Sequence, residues 1–298
     1  MRCTISPLSN SLHLRNQSVA KRSAMSEPCI TAQLFGWPER TASVACRLLS
    51  GTGSATLAAY RIDPHGSLAV LAHGATADGL IAVVLSHSEE LAGADLIDVR
   101  LDIEKHAPEI TARITAATLH SLAVLSWIDD DERAAWETYG TAPQHVLDAA
   151  RAPGARLAAL SVRRTVLHDA SGVHRVPLER IASELSALAQ RGASPFPLSA
   201  EEFEVAETLR DHVNGELGCL RECVLANTCA GAVLRRDPSC GLPEEARDIT
   251  WCVDVDSTGV TLMHTGSQST VTAFAAFAQP VAGLAELRQE LAALVPAS

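Results

Sequence analysis

Hairpin signals, in which two β-compatible segments are joined by tight-turn residues, constrain the fold of this chain more than any other feature. Residues 55–62 and 67–73 are apolar runs separated by Asp-Pro-His-Gly at 63–66. Residues 94–104 alternate apolar and polar side chains, which is the period of a half-buried strand. A second hairpin is predicted at 156–167 and 173–177, flanking Asp-Ala-Ser-Gly at 169–172. Successive antiparallel strands with few helices between them predict a barrel rather than a doubly wound sheet.

Helical and irregular segments are predicted between these strands. Pro38 is typical of a first helical position and starts a helix over 38–50. Residues 76–91 are predicted as a mostly helical or irregular insert, and residues 110–128 as two strands or one strongly bent strand. The acidic run 129–132 predicts a further helix start, because negative charge stabilises the N-terminal end of a helix.

A linker is predicted at 190–198, where two prolines, a glycine and a serine interrupt both periodicities. Ser199 and Glu202 form a capping box, which starts a helix predicted to run to about residue 226. A polar, cysteine-rich connection follows. Strands are predicted near 250–255, 259–264 and 270–277, with a last helix at 284–294. The prediction is therefore an α+β protein with a tail or misread start at 1–25, a split β-barrel domain at 26–190, and a smaller α/β domain at 191–298.

Composition and charge exclude several classes of function. The formal net charge is −11, and only two of the 24 basic residues are lysines, which disfavours binding to nucleic acid. No apolar run approaches the roughly 20 residues of a membrane span, and residues 1–24 lack the apolar core of a secretory signal. We therefore expect a cytoplasmic protein that interacts with neither membrane nor nucleic acid, whose eight cysteines stay reduced.

Sequence motifs in the second domain resemble a known C-terminal module. Asp-His-Val-Asn-Gly-Glu at 211–216 resembles the His-Met-Asn-x-Asp-His signature of that module, and Asp-Ser-Thr-Gly at 256–259 resembles its Asp-Arg-x-Gly turn. Phe-Ala-Ala-Phe-Ala-Gln-Pro at 274–280 also matches. The module follows the barrel in split-barrel proteins related to pyridoxamine 5′-phosphate oxidase and FMN-binding proteins, including the HugZ-like heme utilisation group. The resemblance implies heme handling, oxidative heme degradation for iron release, and a homodimer.

A heme site is the main expectation from this resemblance. Heme needs an axial donor and cations for its propionates. By its place in the signature, His212 is the candidate ligand, with Asn214 beside it and with Arg210 and Arg221 as cationic partners. A structural hydrogen bond from His212 is the alternative.

A second candidate site combines histidine and cysteine on one helix. If 199–226 is a single helix, His212, Glu216, Cys219 and Cys223 lie on one face, at i, i+4, i+7 and i+11. Thiolates and imidazole are ligands for zinc or an iron–sulfur cluster. A disulfide and ordinary buried thiols are the alternatives.

Two other functions stay open at the level of sequence. A flavin-dependent oxidoreductase is one, although few basic residues are available between 50 and 130 to bind the FMN phosphate. A noncatalytic, cofactor-free protein that binds a protein partner is the other, as in split-barrel proteins that bind glutamyl-tRNA reductase in plants. The sequence does not decide whether the protein is an enzyme. The Gly-x-Ser-x-Gly, Walker and His-Glu-x-x-His motifs are absent, which disfavours the common hydrolases and nucleotidases.

Overall fold

The computed structural model describes residues 37–86, 95–109, 112–212, 217–239 and 243–294, with the side chains of residues 37–39 and 212 excepted. The chain divides into two compact units. The barrel unit contains residues 41–105 and 117–199, and the sheet unit contains the described residues of 1–40, 106–116 and 200–298. The predicted segments 1–25, 26–190 and 191–298 stay a prediction.

The barrel unit is built on a closed ring of six antiparallel strands. The strand order is β3-β2-β1-β4-β5-β6, and pairing of β3 with β6 closes the ring. This confirms the predicted split-barrel fold class with a further domain of helices and strands. The strands are β1 (Ser54–Ala58), β2 (Leu68–Ala75), β3 (Ile81–Ser86), β4 (Leu96–His106), β5 (Thr115–Trp127) and β6 (Ala155–Asp169). A short strand, β7 (Gly172–Val176), pairs with β6 through the predicted second hairpin.

The prediction of a helical or irregular insert at 76–91 is wrong for the residues that form β3. Ile81, Val83 and Leu85 face the barrel core, whereas Ala82 and Val84 pack in a second apolar cluster on the opposite side of the strand. Because both faces of β3 are buried, its sequence is a continuous apolar run without the alternation that identifies a half-buried strand. Residues 87–91 lie outside the described residues.

The described residues between 37 and 190 form four α-helices in addition to these strands. The predicted first helix is confirmed as α1 (Trp37–Leu49). The predicted acidic helix start is confirmed at α2 (Asp130–Tyr139), where the Asp129 carboxylate accepts a hydrogen bond from the backbone amide of Glu132 at 2.8 Å. The sequence did not indicate α3 (Gln144–Ala150) or α4 (Leu178–Gln190).

The sheet unit contains a four-stranded antiparallel sheet in the order β8-β11-β10-β9. Its strands are β8 (Gly231–Pro238), β9 (Ile249–Asp256), β10 (Gly259–Thr265) and β11 (Ser269–Ala276), and its helices are α5 (Glu202–His212), α6 (Leu217–Leu225) and α7 (Leu284–Leu294). The last three predicted strands and the last helix are confirmed. β8 falls in the segment predicted as a polar connection, so that prediction is wrong for these residues. β8 is an edge strand with largely accessible side chains, and for that reason its sequence is polar.

A buried ion pair lies inside the sheet unit. Nε of Arg40 is 3.4 Å from Oδ2 of Asp256, and both side chains are about 5% exposed. The same guanidinium donates to Oγ1 of Thr261 at 3.1 Å and lies 4.9 Å from the ring centre of Phe274. Oδ1 of Asp256 accepts from the amide and hydroxyl of Thr258. Each charge is therefore compensated by several partners.

Candidate functional site

An outer face of the barrel unit, on β5, β6 and β7, places two histidines next to apolar and cationic side chains. On β5, Leu119 and its inward neighbours lie in the barrel core, so the residues between them point outward. Residues paired across neighbouring strands share a face, which extends this surface over β6 and β7. Two of its apolar side chains are exposed, Leu122 at 38% and Val173 at 62%. We call it the histidine face, formed by Thr118, His120, Leu122, Arg164, Val166, His168, Val173 and Arg175.

A carboxylate on β4 holds one of the two histidines. Nδ1 of His120 lies 2.6 Å from Oδ1 of Asp102, and Nε of Arg100 donates to Oδ2 of the same carboxylate at 2.8 Å. Because an ionised carboxylate only accepts, Nδ1 of His120 is the protonated nitrogen. In the neutral ring Nε2 then carries the free lone pair. Within the part of the chain that the structure describes, Nε2 makes no hydrogen bond, and 40% of the His120 side chain is exposed.

His168 is the second histidine of this face. Its ring centre lies 5.2 Å from that of His120, with the two rings perpendicular. Partial burial lowers the pKa of His168, and the neighbouring His120 and His174 lower it further. His168 therefore favours the neutral form more than a free histidine does. The arrangement places one oriented imidazole beside a second that resists protonation.

Serine, histidine and aspartate also meet at the β6–β7 turn, but not in the geometry of a hydrolase triad. Oγ of Ser171 donates to Oδ1 of Asp169 at 2.6 Å and lies 2.9 Å from Nε2 of His174. In a triad the carboxylate orients the histidine through its other ring nitrogen, whereas here Asp169 binds the serine amide and hydroxyl directly. The network closes the turn between β6 and β7.

The residues predicted for the heme site belong to the sheet unit. α5 ends at His212 and α6 begins at Leu217, while the His212 side chain and all of Asn214 and Glu216 lie outside the described residues. Arg210 is exposed and lies close to Glu109. Burial raises the pKa of Glu109 above its usual value, and the positive charge of Arg210 only partly opposes this shift. The roles predicted for His212, Asn214, Arg210 and Arg221 therefore stay predictions.

The predicted metal site also depends on residues 213–216, through which a single helix would have to continue. Cys219 is exposed and Cys223 is partly buried, and both are free thiols. Among the residues that the structure describes, no group of three or more His, Cys, Asp or Glu side chains is arranged to hold a metal ion. Ligation by His212, Cys219 and Cys223 stays a prediction.

The described residues of each unit also line a sizeable cavity. In the sheet unit a polar cleft of about 340 Å³ contains Arg221, Arg236 and His264 together with the acids Glu222 and Asp248. Arg221 pairs with Glu222, so the cleft has no clear excess of positive charge. In the barrel unit a cavity of about 550 Å³ lies against the apolar side chains of α4. Its lining includes His145, whose Nε2 is already bonded to the backbone oxygen of His73 at 2.9 Å.

Sequence reasoning missed His120 and Asp102. Both lie in segments with clear β character, and each is an outward polar position of its strand. A usable signal existed, since an acid and a histidine on consecutive antiparallel strands can meet across the sheet. What was missing was the register of β4 against β5.

Comparisons with known proteins place this chain near two solved structures. No protein-family model matches the chain, and no curated protein matches it. It is similar to a heme binding protein from Mycobacterium smegmatis, with 14% identity over 85% of this chain and 95% of that chain and a TM-score of 0.40. It is also similar to the protein Atu2129, of unknown function, from Agrobacterium tumefaciens str. C58, with 16% identity over 91% and 100% of the two chains and a TM-score of 0.32. A shared function does not follow from similarities this low.

Proposed function

We propose that this protein binds heme on the histidine face, with His120 as an axial ligand of the iron. The observation that carries the proposal is the Asp102–His120 pair, in which the carboxylate holds Nδ1 and leaves Nε2 without a hydrogen bond among the described residues. A histidine that ligates a metal characteristically donates its other ring N–H to a carboxylate or carbonyl group. Asp102 would hold the imidazole of His120 in a fixed orientation, with Nε2 available to the iron.

The number of available donors favours heme over a free metal ion. A protein-bound zinc ion takes three or four side-chain ligands, and no such group occurs among the described residues. Heme brings its own macrocyclic nitrogens and needs only one or two axial donors from the protein. A single oriented imidazole is therefore sufficient for heme.

The surroundings of His120 suit a large apolar ligand. Val166 lies directly opposite His120 on β6, Leu122 is the next outward residue on β5, and Val173 lies opposite His168 on β7. Exposed apolar side chains grouped in this way are typical of binding surfaces. A bound macrocycle would remove them from water, and that burial would add to the affinity supplied by the axial bond.

Each group on the chain has a defined role in this proposal. Arg100 holds Oδ2 of Asp102, and Asp102 keeps the proton on Nδ1 of His120. The iron, once bound, supplies any oxygen chemistry. Oxidative ring opening for iron release is a further prediction, and it requires oxygen and an electron donor in addition to the site proposed here.

Titration of the purified full chain with hemin tests this function. We expect a sharpened and shifted Soret band with the wild type, loss of that shift in His120→Ala, and its retention in His168→Ala, the matched control on the same face. His212→Ala is also expected to retain the shift. No shift in the wild type, or an unchanged shift in His120→Ala, would contradict the proposal. Loss in His212→Ala alone would move the ligand to the residue predicted from the sequence.

The same spectra distinguish the other predicted functions. A yellow protein with the absorption of bound flavin would identify the oxidoreductase alternative. A protein that stays colourless, does not shift the hemin spectrum and co-purifies with one stoichiometric protein would identify the cofactor-free alternative. The predicted homodimer and cytoplasmic location stay predictions. In the described residues no helix is long and apolar enough to cross a membrane.

A further inference from the structure

We infer that Arg164 and Arg175 bind the two propionate carboxylates of the tetrapyrrole, so that the site selects tetrapyrroles with free carboxylates over their esters. This inference rests on the proposed function and specifies the class of ligand. It begins from the sheet register, in which Arg164 lies opposite Leu122 and Arg175 lies opposite Val166. Both arginines therefore share the outward face that carries His120.

The spacing of these positions matches the dimensions of a porphyrin. Neighbouring strands lie about 4.8 Å apart, and residues two apart on one strand are separated by about 6.6 Å. Arg164 is one strand and two residues away from His120, which places their backbones about 8 Å apart. Arg175 is two strands away, across Val166, at about 10 Å. Propionates leave the edge of the macrocycle at a comparable distance from the iron, and an arginine side chain is long enough to adjust to them.

The charges around the face leave these two arginines available. Asp98 already pairs with Arg61 at 3.1 Å and with Arg163 at 3.3 Å, and Asp102 is held by Arg100 and His120. In the part of the chain that the structure describes, neither Arg164 nor Arg175 has an ion pair or a hydrogen-bonded side-chain partner.

Arginine is well suited to this role. Its guanidinium remains charged at all physiological pH values and forms paired hydrogen bonds to a carboxylate. Arg164 and Arg175 lie on the same side of His120. They therefore complement a porphyrin whose two propionate groups are attached at the same edge of the macrocycle. The apolar residues Leu122, Val166 and Val173 lie around them and would contact the uncharged part of the macrocycle.

The experiment compares hemin with hemin dimethyl ester, in which both carboxylates are capped. Dissociation constants are measured by absorbance titration for the wild type, Arg164→Gln, Arg175→Gln and the double variant, with Arg191→Gln on an exposed site of the barrel unit as control. We expect each single variant to weaken hemin binding about tenfold, equivalent to about 1.4 kcal/mol, and the double variant to bind hemin no better than the ester. The Soret position at saturation should not change, because His120 remains.

The outcomes separate this inference from the proposed function. If the wild type binds hemin through His120 but binds the ester equally tightly, or if the double variant binds hemin as the wild type does, the inference is wrong and the proposed function stands. A weakening of the same size in Arg191→Gln would also overturn it, because the effect would then be one of general charge. If hemin does not bind through His120, both are wrong.

Discussion

Replacement of the buried Arg40 by methionine is expected to lower the free energy of unfolding of the sheet unit by about 3 to 5 kcal/mol. Methionine retains most of the aliphatic volume but leaves the Asp256 carboxylate, which is only 4% exposed, without its cation. The variant also loses the hydrogen bond to Thr261 and the contact with the ring of Phe274. An uncompensated buried charge is among the few defects that destabilise a protein by several kcal/mol.

Hydrogen exchange of the β9 and β10 amides measures this loss within the sheet unit itself, without assuming two-state unfolding of the whole chain. The matched control is the double variant Arg40→Met with Asp256→Asn, which removes both charges. It should be more stable than the single variant, because the carboxylate no longer has to be buried alone. A loss below about 1 kcal/mol in the single variant, or a double variant that is less stable still, would contradict this account of the ion pair.

The barrel unit is expected to lose stability as the pH falls from about 6.5 to about 4, because of the buried His73. Burial lowers the pKa of His73 from 6.5 to about 4, against the opposing effect of its hydrogen bond to the backbone oxygen of Leu48 at 2.8 Å. Between pH 6.5 and about pH 4, the imidazole of His73 is mostly protonated in the unfolded chain but mostly neutral in the folded chain. Acidification therefore favours unfolding, by about 3 kcal/mol once both pKa values have been passed.

Urea unfolding at pH 7.5, 5.5 and 4 measures this dependence, with His73→Gln as the comparison. Glutamine keeps a side-chain N–H for the Leu48 oxygen but does not titrate, so carboxylates common to both proteins cancel in the difference between them. We expect the stability difference between wild type and variant to shift in favour of the variant as the pH falls. A difference that is independent of pH would show that His73 is not held neutral in the folded protein.

The sequence predicted the barrel well wherever turn residues and alternation coincide. Residues 63–66 and 169–172 contain Asp and Gly at the tight turns, and both predicted hairpins are present. β3 was not predicted as a strand because both of its faces are buried, so its sequence lacks the alternation of apolar and polar residues on which the prediction depends. β8 was not predicted as a strand because much of it is accessible to solvent. The sequence of this edge strand, which contains Arg235, Arg236 and Asp237, resembles that of a solvated loop.

The candidate site was less predictable than the fold because it depends on register. His120 and Asp102 are separated by 18 residues and meet only when β4 and β5 pair in one particular alignment. The alternation of each strand predicts which face a residue occupies, but not which residue lies opposite it. The sequence predicts His212 as a ligand instead, because its motif is contiguous in sequence. A motif that is contiguous in sequence can be recognised from the sequence alone. A site formed by residues on different strands can be recognised only when the pairing of those strands is known.

The most direct test of the proposed axial ligand is chemical rescue of His120→Gly with imidazole. The variant removes the side chain and leaves a space on the histidine face that free imidazole can enter. We predict that the variant with hemin lacks the wild-type Soret band, and that added imidazole gives the variant the same band as the wild type at the same imidazole concentration. A His120→Gly variant that shows the wild-type hemin spectrum without imidazole would contradict the assignment of His120 as the heme ligand.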